Sequence, residues 1–153
     1  MTLTPPILRN KQYAKPTVFT AENLLREARR QKSLTQVRVP RICVLDPDGD
    51  IVRWLVRAQG IERDPGWACY HTDLYAFTYE GTRIGIIGCA VGASFAVLVA
   101  EELFASGCEL LISVTSAGQI VRIADPPYFV LIEKALRDEG CLLYTSPSPR
   151  DRS

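Results

Sequence analysis

The sequence is poor in the residues that metal and disulfide chemistry require. One histidine, His71, occurs in 153 residues, and the five cysteines (Cys43, Cys69, Cys89, Cys108 and Cys141) form no C-x-x-C pair and no cluster with it. Structural metal sites and small disulfide frameworks need such closely spaced sets, so no metal is expected. Most of the cysteines fall in apolar strand-like runs and read as small buried hydrophobes, which makes a reducing, cytoplasmic compartment the default expectation. A surplus of charge is also missing. The formal net charge is +1, which gives no electrostatic case for nucleic acid or an anionic membrane surface as partner. The early basic residues Arg26, Arg29, Arg30, Lys32, Arg38 and Arg41 are accompanied by Glu22 and Glu27, as on a solvated helix face. The opening "MTLTPPILRNKQYAKP" lacks the basic start and long apolar core of a signal peptide.

No run is long enough to cross a membrane comfortably. Ile84 to Ala100 carries no charge, but seventeen residues is the bottom of the range for a spanning helix, and Gly85, Gly88 and Gly92 divide it. Each glycine weakens a helix by about 1 kcal/mol relative to alanine. The stretch reads instead as a strand, a glycine turn and a helix.

What is present is the composition of a globular domain, 47% apolar and 23% charged, in a chain long enough for one core. After a proline-bearing lead-in, "TAENLLREARRQKS" predicts a helix capped by Thr20. "RICVL" (41–45) predicts a buried strand ending at the turn "DPDGD", and "IVRWLVRAQG" a helix that stops at Gly60. "ACYHTDLYAFTYEGTRIGIIGCA" predicts two strands about the turn "YEGTR". A helix follows Gly92, with Phe95, Leu98, Val99, Glu102 and Leu103 at helical spacing, and ends in "ASG" at Gly107. "CELLISVTS" predicts another buried strand, and "YFVLIEKALRDEG" a helix closed by Gly140. This order predicts an α/β protein, a three-layer α/β/α arrangement around a central mixed, mostly parallel sheet.

A strand that ends in small residues and feeds a helix puts backbone N–H groups at the carboxyl edge of the sheet, where open α/β folds bind ligands. The longer pattern "GTRIGIIGCAVGASFAVLVAEELFASGCELLISVTSAGQI" resembles the core of the nucleoside phosphorylase family, the one containing uridine and purine nucleoside phosphorylases. The pieces that match are "AVGA" (90–93), "VAEEL" (99–103), "SG" (106–107) and "VTSAGQI" (114–120), with "CVLDPDGD" standing where the family has a strand and a P-G-D-P-x-R loop. The resemblance covers roughly 41–138.

It implies a pentosyltransferase that cleaves the N-glycosidic bond of a nucleoside, with inorganic phosphate as acceptor and no other cofactor. It implies phosphate and ribose contacts at Gly92, Thr115, Ser116, Ala117 and Gly118, and further loop contacts at Asp46, Gly49 and His71, the last from a neighbouring subunit; it identifies no catalytic residue. The expected partners are a small-molecule nucleoside and, at full length, further copies of the chain in a homo-oligomer.

The chain departs from the family at three cations. Gly49 or Asp50 stands where the phosphate-loop arginine belongs, Ser113 replaces a second arginine, and the third position falls near His71 or Thr72. Arg53, one helical turn beyond the loop, and Arg83 are left as candidates to reach back. Asp46, Asp48 and Asp50 alternate like the start of a calcium loop but lack its continuing glutamate, so a capped turn is the better reading. A nucleosidase on the same fold would need no arginines but would need a carboxylate base, Asp46 or Asp48; a non-catalytic small-ligand domain on this scaffold is the third reading.

The ending "CLLYTSPSPRDRS" fits nothing before it. Residues 141–151 look like the frame translation of a sequencing-library adapter, and without the tail the basic and acidic residues become equal in number. The expected organisation is an N-terminal extension with one helix (1–40), an incomplete, truncated nucleoside phosphorylase-like domain (41–140) and a non-native tail (141–153).

Overall fold

The computed structural model describes residues 14–17 and 19–135. Two units divide the chain, the first ending at Val114 and the second beginning at Thr115.

The first unit is an α/β fold. Its elements run α1 (Ala21–Lys32), β1 (Ile42–Asp46), α2 (Asp50–Gln59), β2 (Leu74–Tyr79), β3 (Thr82–Gly88), α3 (Ala93–Ala105) and β4 (Leu110–Ser113). The sheet has the order β2-β3-β1-β4. β1 is parallel to β3 and to β4, and β2 is antiparallel to β3 through a tight turn at Glu80 and Gly81, both at positive φ.

Alternation along the strands builds the layers. Cys43, Leu45, Leu74 and Ile87 face α3 and pack with Val99 and Leu103. The intervening Val44, Ile86, Tyr75 and Phe77 face α2 and pack with Val52 and Leu55. The two helices that follow β1 and β3 therefore lie on opposite faces, and the layered arrangement expected from the sequence is the one found. α1 lies against α3 and buries Leu25 and Ala28. Its N-cap is Thr20, whose hydroxyl accepts from the Asn23 amide at 3.2 Å. Thr20→Ala is expected to cost about 1 kcal/mol of stability, measured by chemical denaturation.

Two expectations fail. "CELLISVTS" forms only the short edge strand β4, with Leu110 and Ile112 about half exposed, because the sheet continues on one side of it alone. The helix expected from Tyr128 is absent over the described part of its length, 128–135. A helix of this length draws its stability from burying an apolar face, and here Phe129, Leu131 and Ile132 remain exposed. Gly140 and the tail lie outside the described residues. No helix among the described residues is long and apolar enough to cross a membrane, and 84–107 forms a strand, turn and helix as expected.

Candidate functional site

The site begins with a topological fact. The chain leaves β1 for α2 on one face and leaves β3 for α3 on the other, and β1 and β3 are hydrogen-bonded neighbours. Their carboxyl ends, Asp46 and Gly88, stand side by side in register. A crevice between adjacent strands whose following helices diverge is the ligand position of open α/β sheets. The loops "DPDGD" and "GCAVG" form its two walls, tied by a hydrogen bond from the Cys89 amide to the Asp46 carbonyl at 2.9 Å.

Asp46 holds one wall together. It is 1% exposed, and its carboxylate accepts from the Gly49 amide at 3.1 Å and the Val52 amide at 3.0 Å. Those are first-turn donors of α2 that no intrahelical carbonyl could satisfy. Asp46 is thus a buried helix cap, each of whose carboxylate oxygens accepts a backbone hydrogen bond. The capped-turn reading of the loop is the one found, and no cluster of three metal-ligating side chains exists among the described residues.

Gly49 is required twice over. Its φ is +73°, and a Cβ there would lie 2.6 Å from Cys89 Sγ and 2.8 Å from Arg53 Nη1. The same distances locate Arg53. Its guanidinium folds back over the loop, donates to the Asp48 carbonyl at 3.0 Å and pairs with Asp50. Its hydrogen bond to the Asp50 carboxylate raises the Arg53 pKa. A cation therefore stands at the crevice although the family's motif position holds none.

Arg83 does not reach. It lies at the start of β3, at the opposite edge of the sheet, and pairs with Asp64. A groove of about 690 Å³ also lies at that amino edge, lined by Val39, Arg41, Thr82, Arg83, Glu109 and Leu110. It is the poorer candidate on topology, because ligands of such sheets gather at the other edge. A second groove, of about 480 Å³, lies between the start of α1 and the end of α3, also away from the crevice.

Gly92 begins α3 at φ +95° with no side-chain cap, and a Cβ on it would meet nothing within 4 Å. Packing therefore does not explain this glycine; backbone conformation does. Cys89, expected to be buried, is exposed at φ 62°, on the crevice wall beside Gly49. Cys43, Cys69 and Cys108 are buried as expected, and Cys141 lies outside the described residues.

His71 is exposed and its ring stands 6.2 Å, edge-on, from Phe95 in the first turn of α3. β4 ends at the same edge as β1, where the Val114 amide donates to the Leu45 carbonyl at 2.9 Å. Thr115, Ser116, Ala117 and Gly118 belong to the second unit, exposed and without helix or strand, and a Cβ on Gly118 would meet nothing within 4 Å.

Sequence reasoning had no signal for the Cys89 conformation. It did have one for Glu102, which shares the helical spacing of the apolar Phe95, Val99 and Leu103 and is fully buried with them.

Neither a protein-family model nor a curated protein matches the chain. Among solved structures, uridine phosphorylase from Vibrio fischeri ES114 is similar at 24% identity over 57% of this chain and 36% of its own, with a TM-score of 0.45. The same enzyme in complex with 6-hydroxy-1-naphthoic acid is similar at 24% identity over 58% of this chain and 39% of its own, with a TM-score of 0.47. The chain thus spans less than two fifths of the length of either structure.

Proposed function

We propose that the chain is part of a nucleoside phosphorylase-like pentosyltransferase, with the crevice between β1 and β3 as its phosphate end. The observation that carries this reading is the Arg53 guanidinium folded over "DPDGD" beside the "GCAVG" turn. It brings to the loop one of the three cations missing from the motif positions, paired in this state with Asp50.

In the reaction, the bond from C1′ of the ribose to the base nitrogen breaks and its electron pair leaves with the base, which takes up a proton. A phosphate oxygen forms the new bond to C1′. Positive charge builds on the sugar in between, so an anion held rigidly beneath C1′ lowers the barrier. Arg53 and the amides at Gly92 would hold that anion. Inorganic phosphate is the only co-substrate. His71 would contribute from a neighbouring subunit of a homo-oligomer in the cytoplasm.

The hydrolytic alternative loses one of its two candidate bases, since Asp46 accepts two backbone hydrogen bonds. The test is base release from uridine and from purine nucleosides by the full-length protein, with and without phosphate. Release that requires phosphate is expected, with Arg53→Met raising the phosphate concentration for half-maximal rate roughly tenfold or more. Release without phosphate supports a nucleosidase, and no release supports a binding domain.

A further inference from the structure

Both carboxylate oxygens of Glu102 are buried and, apart from a weak interaction with the Cys69 thiol, have no hydrogen-bond partner among the described residues. Such a group calls for a reason, because an isolated ionised carboxyl is expensive to bury and neutralises instead. Burial pushes Glu102 above the usual carboxylate range; the Cys69 thiol, then His71 and Lys32, oppose that shift without cancelling it.

These neighbours belong to two other elements. From α1, the Lys32 ammonium donates to the Cys69 carbonyl at 2.6 Å and stands 5.3 Å from the centre of the Tyr70 ring. From the 67–72 loop come Cys69 and His71, with the His71 amide donating to Cys69 Sγ at 3.4 Å and Trp67 Nε1 donating to Thr72 Oγ1 at 3.0 Å. The loop is thus tied to α1 through Lys32 and packs on α3, where Trp67 and Cys69 share a core with Val99 and Leu103, the neighbours of Glu102 on its helix face. Cysteine, histidine and glutamate together are also the membership of a nucleophilic catalytic set. Burial, followed by Glu102, pushes the Cys69 thiol up, and the residue is 3% exposed, so no nucleophile is formed.

We propose that Glu102 is a proton-operated latch on the 67–72 loop. Uncharged, it lets the loop lie closed between α1 and α3 with Lys32 on the Cys69 carbonyl. Charged, it draws the Lys32 ammonium and water to itself, and the loop lifts. A carboxyl whose folded-state pKa is raised stabilises the closed form fully below the ordinary carboxylate range and loses that contribution as pH rises through the folded value. The loop therefore closes toward acid and opens toward base. The latch stands independently of the nucleoside reading, although it would also move His71 against Phe95 at the start of α3.

Trp67, 6% exposed, reports on the loop, and Trp54→Phe makes it the sole tryptophan. Acrylamide quenching of Trp67 is expected to rise several-fold in one step as pH is raised above the ordinary carboxylate range. Glu102→Gln is expected to stay closed throughout, as is the apolar Glu102→Leu, and Lys32→Met is expected to be quenched at every pH. Quenching that is flat in the parent protein, a step that persists in both Glu102 variants, or a Lys32→Met profile equal to the parent's would overturn the latch. Failure of phosphate-dependent base release would leave these expectations unchanged.

Discussion

Asp46→Ala is expected to destabilise the first unit by about 2–4 kcal/mol, seen as a lower midpoint in chemical denaturation. The buried Val52 amide loses its acceptor, and the Gly49 amide loses one of two, keeping the Asp46 backbone carbonyl at 2.9 Å. Hydrogen bonds to charged groups contribute about 1.5–3 kcal/mol each, and a donor left unsatisfied in the interior carries its full desolvation cost. Water can enter part of the space left by the side chain, which sets the lower bound. Asp46→Asn keeps one oxygen as acceptor and should lose about half as much. A loss under about 1 kcal/mol would mean that the loop is held by other contacts.

Gly49→Val is the second large effect, expected at about 2–5 kcal/mol. A β-branched residue held at φ +73° costs roughly 1–2 kcal/mol in backbone strain. The added carbons also meet Cys89 Sγ and the Arg53 guanidinium below contact distance, and forced overpacking costs a further ~1–3 kcal/mol. Gly49→Ala separates the two terms. Combined with Cys89→Ala it should recover the steric part but not the conformational part, and full recovery would show that the left-handed backbone is unimportant. Unlike Asp46→Ala, both substitutions should displace Arg53, so they should weaken phosphate binding more than their stability loss explains.

The sequence was informative wherever short-range chemistry decides structure. Thr20, the turn at Glu80 and Gly81, and the stop at Gly60 are each dictated by a few neighbouring residues, and each is found as expected. Short apolar runs bounded by turns gave the strands, and the order of elements gave the mostly parallel sheet. Reading failed where an element depends on something beyond its own residues. The run after Tyr128 has a helix pattern, but a pattern stabilises nothing until a surface covers it. β4 is short and exposed for the same reason.

The candidate site divides along the same line. Gly49 and Gly92 could be picked from turn chemistry, and a capped turn was the better reading of Asp46, Asp48 and Asp50, but which carboxylate does the capping could not be told. Whether that carboxylate faces a ligand or its own helix depends on where the α2 amides point, and only the fold fixes that. Arg53 was legible only as a side chain of suitable reach. Glu102 sat in plain view at helical spacing among apolar residues, yet a charged residue on such a stripe is more often at its solvent margin than at its centre.

The central claim is that the crevice between β1 and β3 is an anion site completed by Arg53. Titrating inorganic phosphate into the ¹⁵N-labelled chain while following backbone amide shifts tests it without requiring turnover. Shifts concentrated at Gly49, Cys89, Gly92 and Ser94, and abolished by Arg53→Met, are predicted. Shifts gathered instead around Arg41, Arg83 and Glu109 at the amino edge, or a response that Arg53→Met leaves intact, would contradict it.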